Sequence, residues 1–98
     1  MGIFDFFQKT SKKYDANDPN LILLDVRTSQ EFDNDHAEKS INIPLDLLGS
    51  KLNTLSKDKT IIVVCASGMR SSAAIKILKN AGFEKIENGV TYRNFKNW

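Results

Sequence analysis

The stretch Ile61-Ile62-Val63-Val64-Cys65-Ala66-Ser67-Gly68-Met69-Arg70-Ser71-Ser72 decides how this chain is read. A short run of β-branched apolar residues bounded by turn signals fits a strand covered on both faces. Small residues and a glycine break the run, after which Ala74, Ile75, Ile77, Leu78 and Ala81 recur at helical spacing until Gly82 stops them. The single cysteine of the chain therefore stands at the mouth of a strand-loop-helix unit. Backbone N–H groups of such a loop converge on one point, and the following helix adds its positive end. An anionic sulfur is stabilised there, since a thiol pKa of about 8.5 falls beside a helix N-terminus and a cation such as Arg70.

Outward from this unit, turn residues punctuate alternating strand and helix patterns. Asp15 to Asn20 make a polar turn into Leu21-Ile22-Leu23-Leu24, a second buried strand that ends at Asp25. Thr28-Ser29-Gln30-Glu31 has capping-box spacing and predicts a helix from Ser29 to Asp35 with Phe32 facing inward. Ile41-Asn42-Ile43-Pro44 reads as a short strand, and Leu45, Leu47, Leu48, Leu52 and Leu55 as an amphipathic helix bent near Gly49. Phe83 to Glu87 reads as a last strand, and Val90 to Trp98 as a closing helix packed through Tyr92, Phe95 and Trp98. This order predicts one α/β domain over residues 1–98, with a mainly parallel central sheet flanked by helices on both faces. Residues 1–14 are expected to form a short helical segment packed through Ile3, Phe4, Phe6 and Phe7, with a membrane- or partner-facing patch as the alternative.

Fourteen basic against twelve acidic side chains give a formal charge of +2, too balanced for a dedicated nucleic-acid binder. The halves differ: residues 1–50 hold five basic and nine acidic groups, residues 51–98 nine and three. A small anionic substrate is drawn to the cysteine half, unless Lys76, Lys79, Lys85 and Lys96 merely solvate its surface. One cysteine excludes an internal disulfide, and the opening Met1-Gly2-Ile3-Phe4 has neither a basic region nor a long apolar stretch. A reducing, cytoplasmic setting without membrane partners is the expectation. Gly2 does not read as a myristoylation site, because Phe6 stands where Ser or Thr is needed.

Ligands of open parallel sheets sit beyond the carboxyl ends of the strands, which points to Asp25-Val26-Arg27 and Cys65 to Arg70 as the lining of one cleft. Gly68 allows a positive-φ turn and close approach of an anion to backbone N–H groups. Arg70 either forks onto sulfonate, sulfate or phosphate oxygens or braces the loop against a carboxylate such as Asp25. Ser71 and Ser72 suit N-capping. Arg27 either touches substrate or pairs with Glu31 four residues on, and pairing is the favoured reading. His36 fits no metal-ligand spacing and is expected to brace its loop; no metal or other cofactor is implied.

Leu23-Leu24-Asp25-Val26-Arg27, Glu31-Phe32, Ile41-Asn42-Ile43-Pro44-Leu45, Cys65 to Ser71 and Glu87-Asn88-Gly89 together resemble, in order, the signatures of a single-domain rhodanese. The resemblance covers the chain from about Asn20 onward. It implies a sulfurtransferase in which Cys65 takes sulfur from a small anionic donor, thiosulfate or a persulfide, holds it as a persulfide and yields it to cyanide or a thiol, including that of a sulfur-accepting protein. It further implies that the N–H groups of Ala66, Ser67, Gly68, Met69 and Arg70 hold the persulfide, with Arg70 and Asp25 supporting the loop. The chain departs from the family's usual pattern at Asp35 to Ser40, where His36 is matched, and at Ala66, Asn88 and Arg93. A cysteine phosphatase or arsenate reductase of the same fold resembles a pattern with five residues between Cys and Arg, whereas four stand here, Ala66 to Met69. Nor is there a second cysteine to resolve a disulfide. A noncatalytic rhodanese-like binding module is the third reading, and such a module has no use for a reactive thiol beside Gly68 and Arg70.

Overall fold

The computed structural model describes residues 13–98, so the helical segment expected over residues 1–14 lies outside the described residues except for Lys13 and Tyr14. Along the chain follow β1 (Leu21–Asp25), α1 (Ser29–Asn34), β2 (Ser40–Asn42), α2 (Leu45–Leu48), a 3-10 turn at Leu52–Thr54, β3 (Thr60–Cys65), α3 (Met69–Asn80), β4 (Ile86–Thr91) and a 3-10 turn at Tyr92–Phe95. The four strands form one sheet in the order β2-β1-β3-β4, and every neighbouring pair is parallel.

Strand β3 lies between two neighbours and between two hydrophobic layers, which explains its unbroken apolar sequence. Ile61, Ile62, Val63 and Val64 are all 0% exposed, and each aliphatic side chain so buried stabilises the fold by about 1.5–3 kcal/mol. Because side chains alternate along a strand, Ile61, Val63 and Cys65 join Leu24, Val26, Leu48, Ala74, Leu78 and Phe83 on one face. Ile62 and Val64 join Leu23, Ala37, Tyr92 and Phe95 on the other. Strand parity thus turns the cysteine toward the side that α3 covers.

The capping box forms as its spacing predicts: the Thr28 hydroxyl accepts from Glu31 N–H at 3.2 Å, and Glu31 Oε1 accepts from Thr28 N–H at 3.1 Å. Three expectations change. The leucine-rich segment is a single turn, α2, followed by a separate 3-10 turn. The last strand begins at Ile86 instead of Phe83, because Phe83 closes α3: its N–H donates to Leu78 O at 3.0 Å while Gly82, at φ 92°, donates to Lys79 O at 3.0 Å. That is a Schellman ending, with the apolar Phe83 folded back on Leu78. The closing helix is one 3-10 turn, since β4 continues to Thr91 to pair with Cys65.

Between β3 and β4 the register skips Gly89, with Val63 opposite Asn88 and Val64 opposite Val90. The bulge holds Val90 at φ 69°, a conformation a β-branched residue rarely adopts. A Cβ on Gly89 would lie 2.7 Å from both Phe95 and Val64 and 2.8 Å from Ile62. Gly89→Ala is expected to lower stability by roughly 1–3 kcal/mol, the usual cost of overpacking a core, as read from the urea midpoint.

Candidate active site

Cys65 is the last residue of β3 and is 1% exposed. The chain turns at Gly68, whose φ of 104° places its N–H 2.9 Å from Cys65 Sγ as donor. A Cβ at Gly68 would sit 2.9 Å from Val90 Cγ1 as well as in a left-handed backbone, so glycine is required on both counts. Burial pushes the thiol up, but the backbone N–H groups of Ser71, Gly68 and Ser67 and the Ser71 hydroxyl outweigh it, and its pKa lies below the ordinary thiol value.

Gly68 itself is the N-cap of α3, and no side chain caps this end. This corrects the expectation for Ser71 and Ser72, which lie inside the first turn and donate through their hydroxyls to Gly68 O, each at 2.9 Å. The helix N–H groups are left for the sulfur, which a serine cap would have competed for. Asn88, which the sequence marked only as a departure from the family's usual pattern, closes the network: its Oδ1 lies 2.9 Å from Ser71 Oγ and accepts from Val90 N–H at 2.9 Å. The Ser71 proton therefore has three acceptors within reach, Gly68 O, Asn88 Oδ1 and the sulfur.

The arginines are paired differently from the sequence-based expectation. Arg27 reaches back to Asp25, with Nη2 and Oδ2 2.8 Å apart and side chains 4% and 0% exposed. It also donates to Asp35 O at 2.7 Å and lies 3.7 Å from the centre of the Tyr92 ring. With Asp25 so occupied, Arg70 takes Glu31 as a bidentate partner at 2.6 and 3.0 Å, tying the start of α3 to α1. Glu31 carries two tasks, cap and ion pair, and Arg70 is the first cause of its carboxyl's fall from 4.5 to about 2. Sequence spacing could show the cap but not a partner 39 residues away.

His36 lies with its Nδ1 2.6 Å from Phe32 O and its ring stacked on Phe32 at 3.7 Å. Phe32 is only half-buried in that stack. Ala66 and Gly68 are half-buried, while Ser67 and Met69 face solvent. Arg93, assigned no site role by its sequence position, lies against the loop: Nη1 is 3.3 Å from Ala66 O and 3.4 Å from Thr91 Oγ1. Among the described residues no cluster of His, Cys, Asp and Glu could hold a metal ion, and no helix is long and apolar enough to cross a membrane.

A left-handed glycine, an N–H on sulfur and a lowered thiol pKa stand together at the end of a central parallel strand, in a chain that matches one known family over most of its length. Residues 8–92 match the rhodanese-like domain. The chain belongs to this family. Two Bacillus subtilis (strain 168) relatives are each 35% identical: YrkF, a candidate sulfur carrier protein by name, and YtwF, a candidate sulfurtransferase by name. The matched segments cover 76% and 74% of this chain but 40% of YrkF and 73% of YtwF. A solved rhodanese with anions from E. coli is 29% identical at a TM-score of 0.70, covering 76% of this chain and 89% of that one. Rhodanese-like relatives also include proteins named tRNA uridine(34) hydroxylase and HIGH ARSENIC CONTENT 1, of whose lengths 24% and 46% are matched. Membership fixes the family, and with relatives of such different names and lengths it leaves the activity, the donor and the acceptor to the site's own chemistry.

Two outcomes follow from these charges. Alkylation of Cys65 by a neutral reagent should rise with pH and reach its plateau through a midpoint below about 8.5, the value of a free cysteine; a midpoint at or above that value contradicts the geometry. Glu31→Gln keeps the capping box but removes the charge paired with Arg70. A depressed carboxyl contributes stability above its unfolded pKa and loses it as pH falls through the folded one. The stability gap between wild type and Glu31→Gln should be full above pH 4.5 and close as pH approaches about 2, as followed by denaturant midpoints.

Proposed function

We propose that this rhodanese-like domain is a sulfurtransferase that carries sulfane sulfur on Cys65. The observation that carries the reading is the donation of Gly68 N–H to Cys65 Sγ at 2.9 Å, at a buried thiol whose pKa is lowered. Such a thiol gives up its proton more readily than an ordinary cysteine and attacks as the thiolate, in a nest that holds one anionic atom without a metal ligand. With thiosulfate as donor, the Cys65 thiolate attacks the outer sulfur, an S–S bond forms to the protein, and the donor's S–S bond breaks with its electron pair leaving on sulfite. The terminal sulfur of the persulfide carries the negative charge.

In the second half, cyanide or a thiolate attacks that terminal sulfur. The protein S–S bond breaks, the Cys65 thiolate returns, and thiocyanate or a new persulfide departs. Charge and electrons balance in both halves, and no external oxidant is consumed. The N–H groups of Ser67, Gly68 and Ser71 serve as fixed donors that favour the anion on Cys65 Sγ, both before it attacks the donor and when it returns as the leaving group. Asp25 and Arg27 hold the end of β1, and Arg70 holds the loop to α1 through Glu31. The donor is a small anion, the acceptor cyanide or a thiol that a protein could also present, and a reducing cytoplasm keeps the lone thiol available.

The short loop separates this reading from phosphatase and arsenate-reductase chemistry. Four residues between Cys65 and Arg70 frame one atom rather than three equatorial oxygens, and Arg70 is engaged by Glu31. Incubating the protein with thiosulfate or a low-molecular-weight persulfide should add about 32 Da, one sulfur, to wild type and nothing to Cys65→Ser, as read by intact-mass spectrometry. Cyanide should then remove the adduct as thiocyanate. Hydrolysis of an aryl phosphate with no such adduct would overturn the reading, and no adduct with any donor would favour a docking module.

A further inference from the structure

Most cations that reach the Cys65 end of the sheet are committed to carboxylates. Arg27 is held by Asp25, Arg70 by Glu31, and Lys96 by Asp35. Arg93 is different: it is exposed, and among the described residues no carboxylate pairs with it. The register places Thr91 beside Cys65, so a residue two positions further on emerges at the mouth of the loop. There its guanidinium is fixed from below by Tyr92, 4.8 Å from the ring centre, and from the side by Ala66 O and Thr91 Oγ1, both through Nη1. The Nη2 and Nε donors have no hydrogen-bond partner among the described residues. Meanwhile the loop side chains Ala66, Ser67, Gly68 and Met69 carry no charge.

We infer that Arg93 is the specificity-determining residue that receives the oxyanion head of the sulfur donor. The inference rests on the sulfurtransferase reading and deepens it, because the nest around Cys65 Sγ accounts for the transferred sulfur alone. A donor such as thiosulfate carries further charge on oxygens that stay outside the nest while its outer sulfur meets Cys65. A planar guanidinium with open N–H groups matches two such oxygens at once. Arg93 binds the leaving group and orients it; the N–H groups of the loop hold the sulfur. Donors lacking an oxyanion lose this contact, so the chain favours small sulfonate-like donors.

Two alkylating reagents of the same shape separate binding from bracing. Iodoacetate and iodoacetamide both alkylate the Cys65 thiolate with loss of iodide, but only the first carries an anion. In Arg93→Gln the iodoacetate rate should fall roughly fivefold while the iodoacetamide rate stays within about twofold, and Arg93→Lys should fall between. The KM for thiosulfate in thiocyanate formation should rise roughly fivefold in Arg93→Gln with kcat within about twofold. Equal slowing of both reagents would reduce Arg93 to a brace on Ala66, and an unchanged iodoacetate rate or thiosulfate KM would remove it from recognition. If wild type forms no persulfide, the sulfurtransferase reading fails on its own; the ratio of the two alkylation rates still decides whether Arg93 receives anions.

Discussion

The convergence of backbone N–H groups on one buried sulfur is the constraint to which the rest of the molecule conforms. A thiolate taken out of water is costly, and here the compensation comes from peptide groups, which cannot titrate away and are aimed before any substrate arrives. That aim requires a chain reversal within three residues of Cys65, which in turn requires Gly68 in a left-handed conformation. It requires the start of α3 to keep its donors free, so Ser71 and Ser72 bond Gly68 O instead of capping the helix. Even the strained backbone of Val90 belongs to the same arrangement, since its side chain fills the space that any Cβ at position 68 would need.

The ion pairs set positions more than they add stability. Asp25 and Arg27 are almost fully buried, and the desolvation of such a pair roughly cancels its attraction. Arg70 and Glu31 are about one-third exposed, where screening leaves little net energy. Their value is directional. Asp25, Arg27, Tyr92 and Asp35 lock the segments that follow β1 and β4 to each other, while Glu31 and Arg70 lock α1 to α3. With these carboxylates occupied, Arg93 is the cation beside the loop that pairs with no carboxylate among the described residues.

Legibility in the sequence followed the range of the interaction. The strands around Leu23 and Val63, the capping box at Thr28 and Glu31, and the helical spacing of Ala74, Ile77 and Leu78 in α3 all rest on neighbours within a few residues. They could be read directly. The last strand and the closing turn could not, because Phe83 obeys the end of α3 through its bond to Leu78 O, and β4 is extended to Thr91 by pairing with Cys65. Position 25 reads as a partner for Arg70 until Arg27, two residues away and on the same strand end, is seen to fold back on it. The contacts of Asn88 with Ser71 and of Arg93 with Ala66 left no local signature, since those partners lie 17 and 27 residues away.

The chain by itself determined that a lone thiol would end a buried strand, face an anion-holding turn and precede a helix, because those outcomes depend on apolar runs, glycine and periodicity. It determined the parallel α/β architecture for the same reason, since alternating short strands and helices have few ways to bury both layers. Tertiary structure alone decided which carboxylate each arginine holds, which amide oxygen waits on the Ser71 hydroxyl, and which guanidinium stays open at the mouth. Those choices are made by competition among charges brought together from distant segments, and only the register of β1, β3 and β4 brings them within reach.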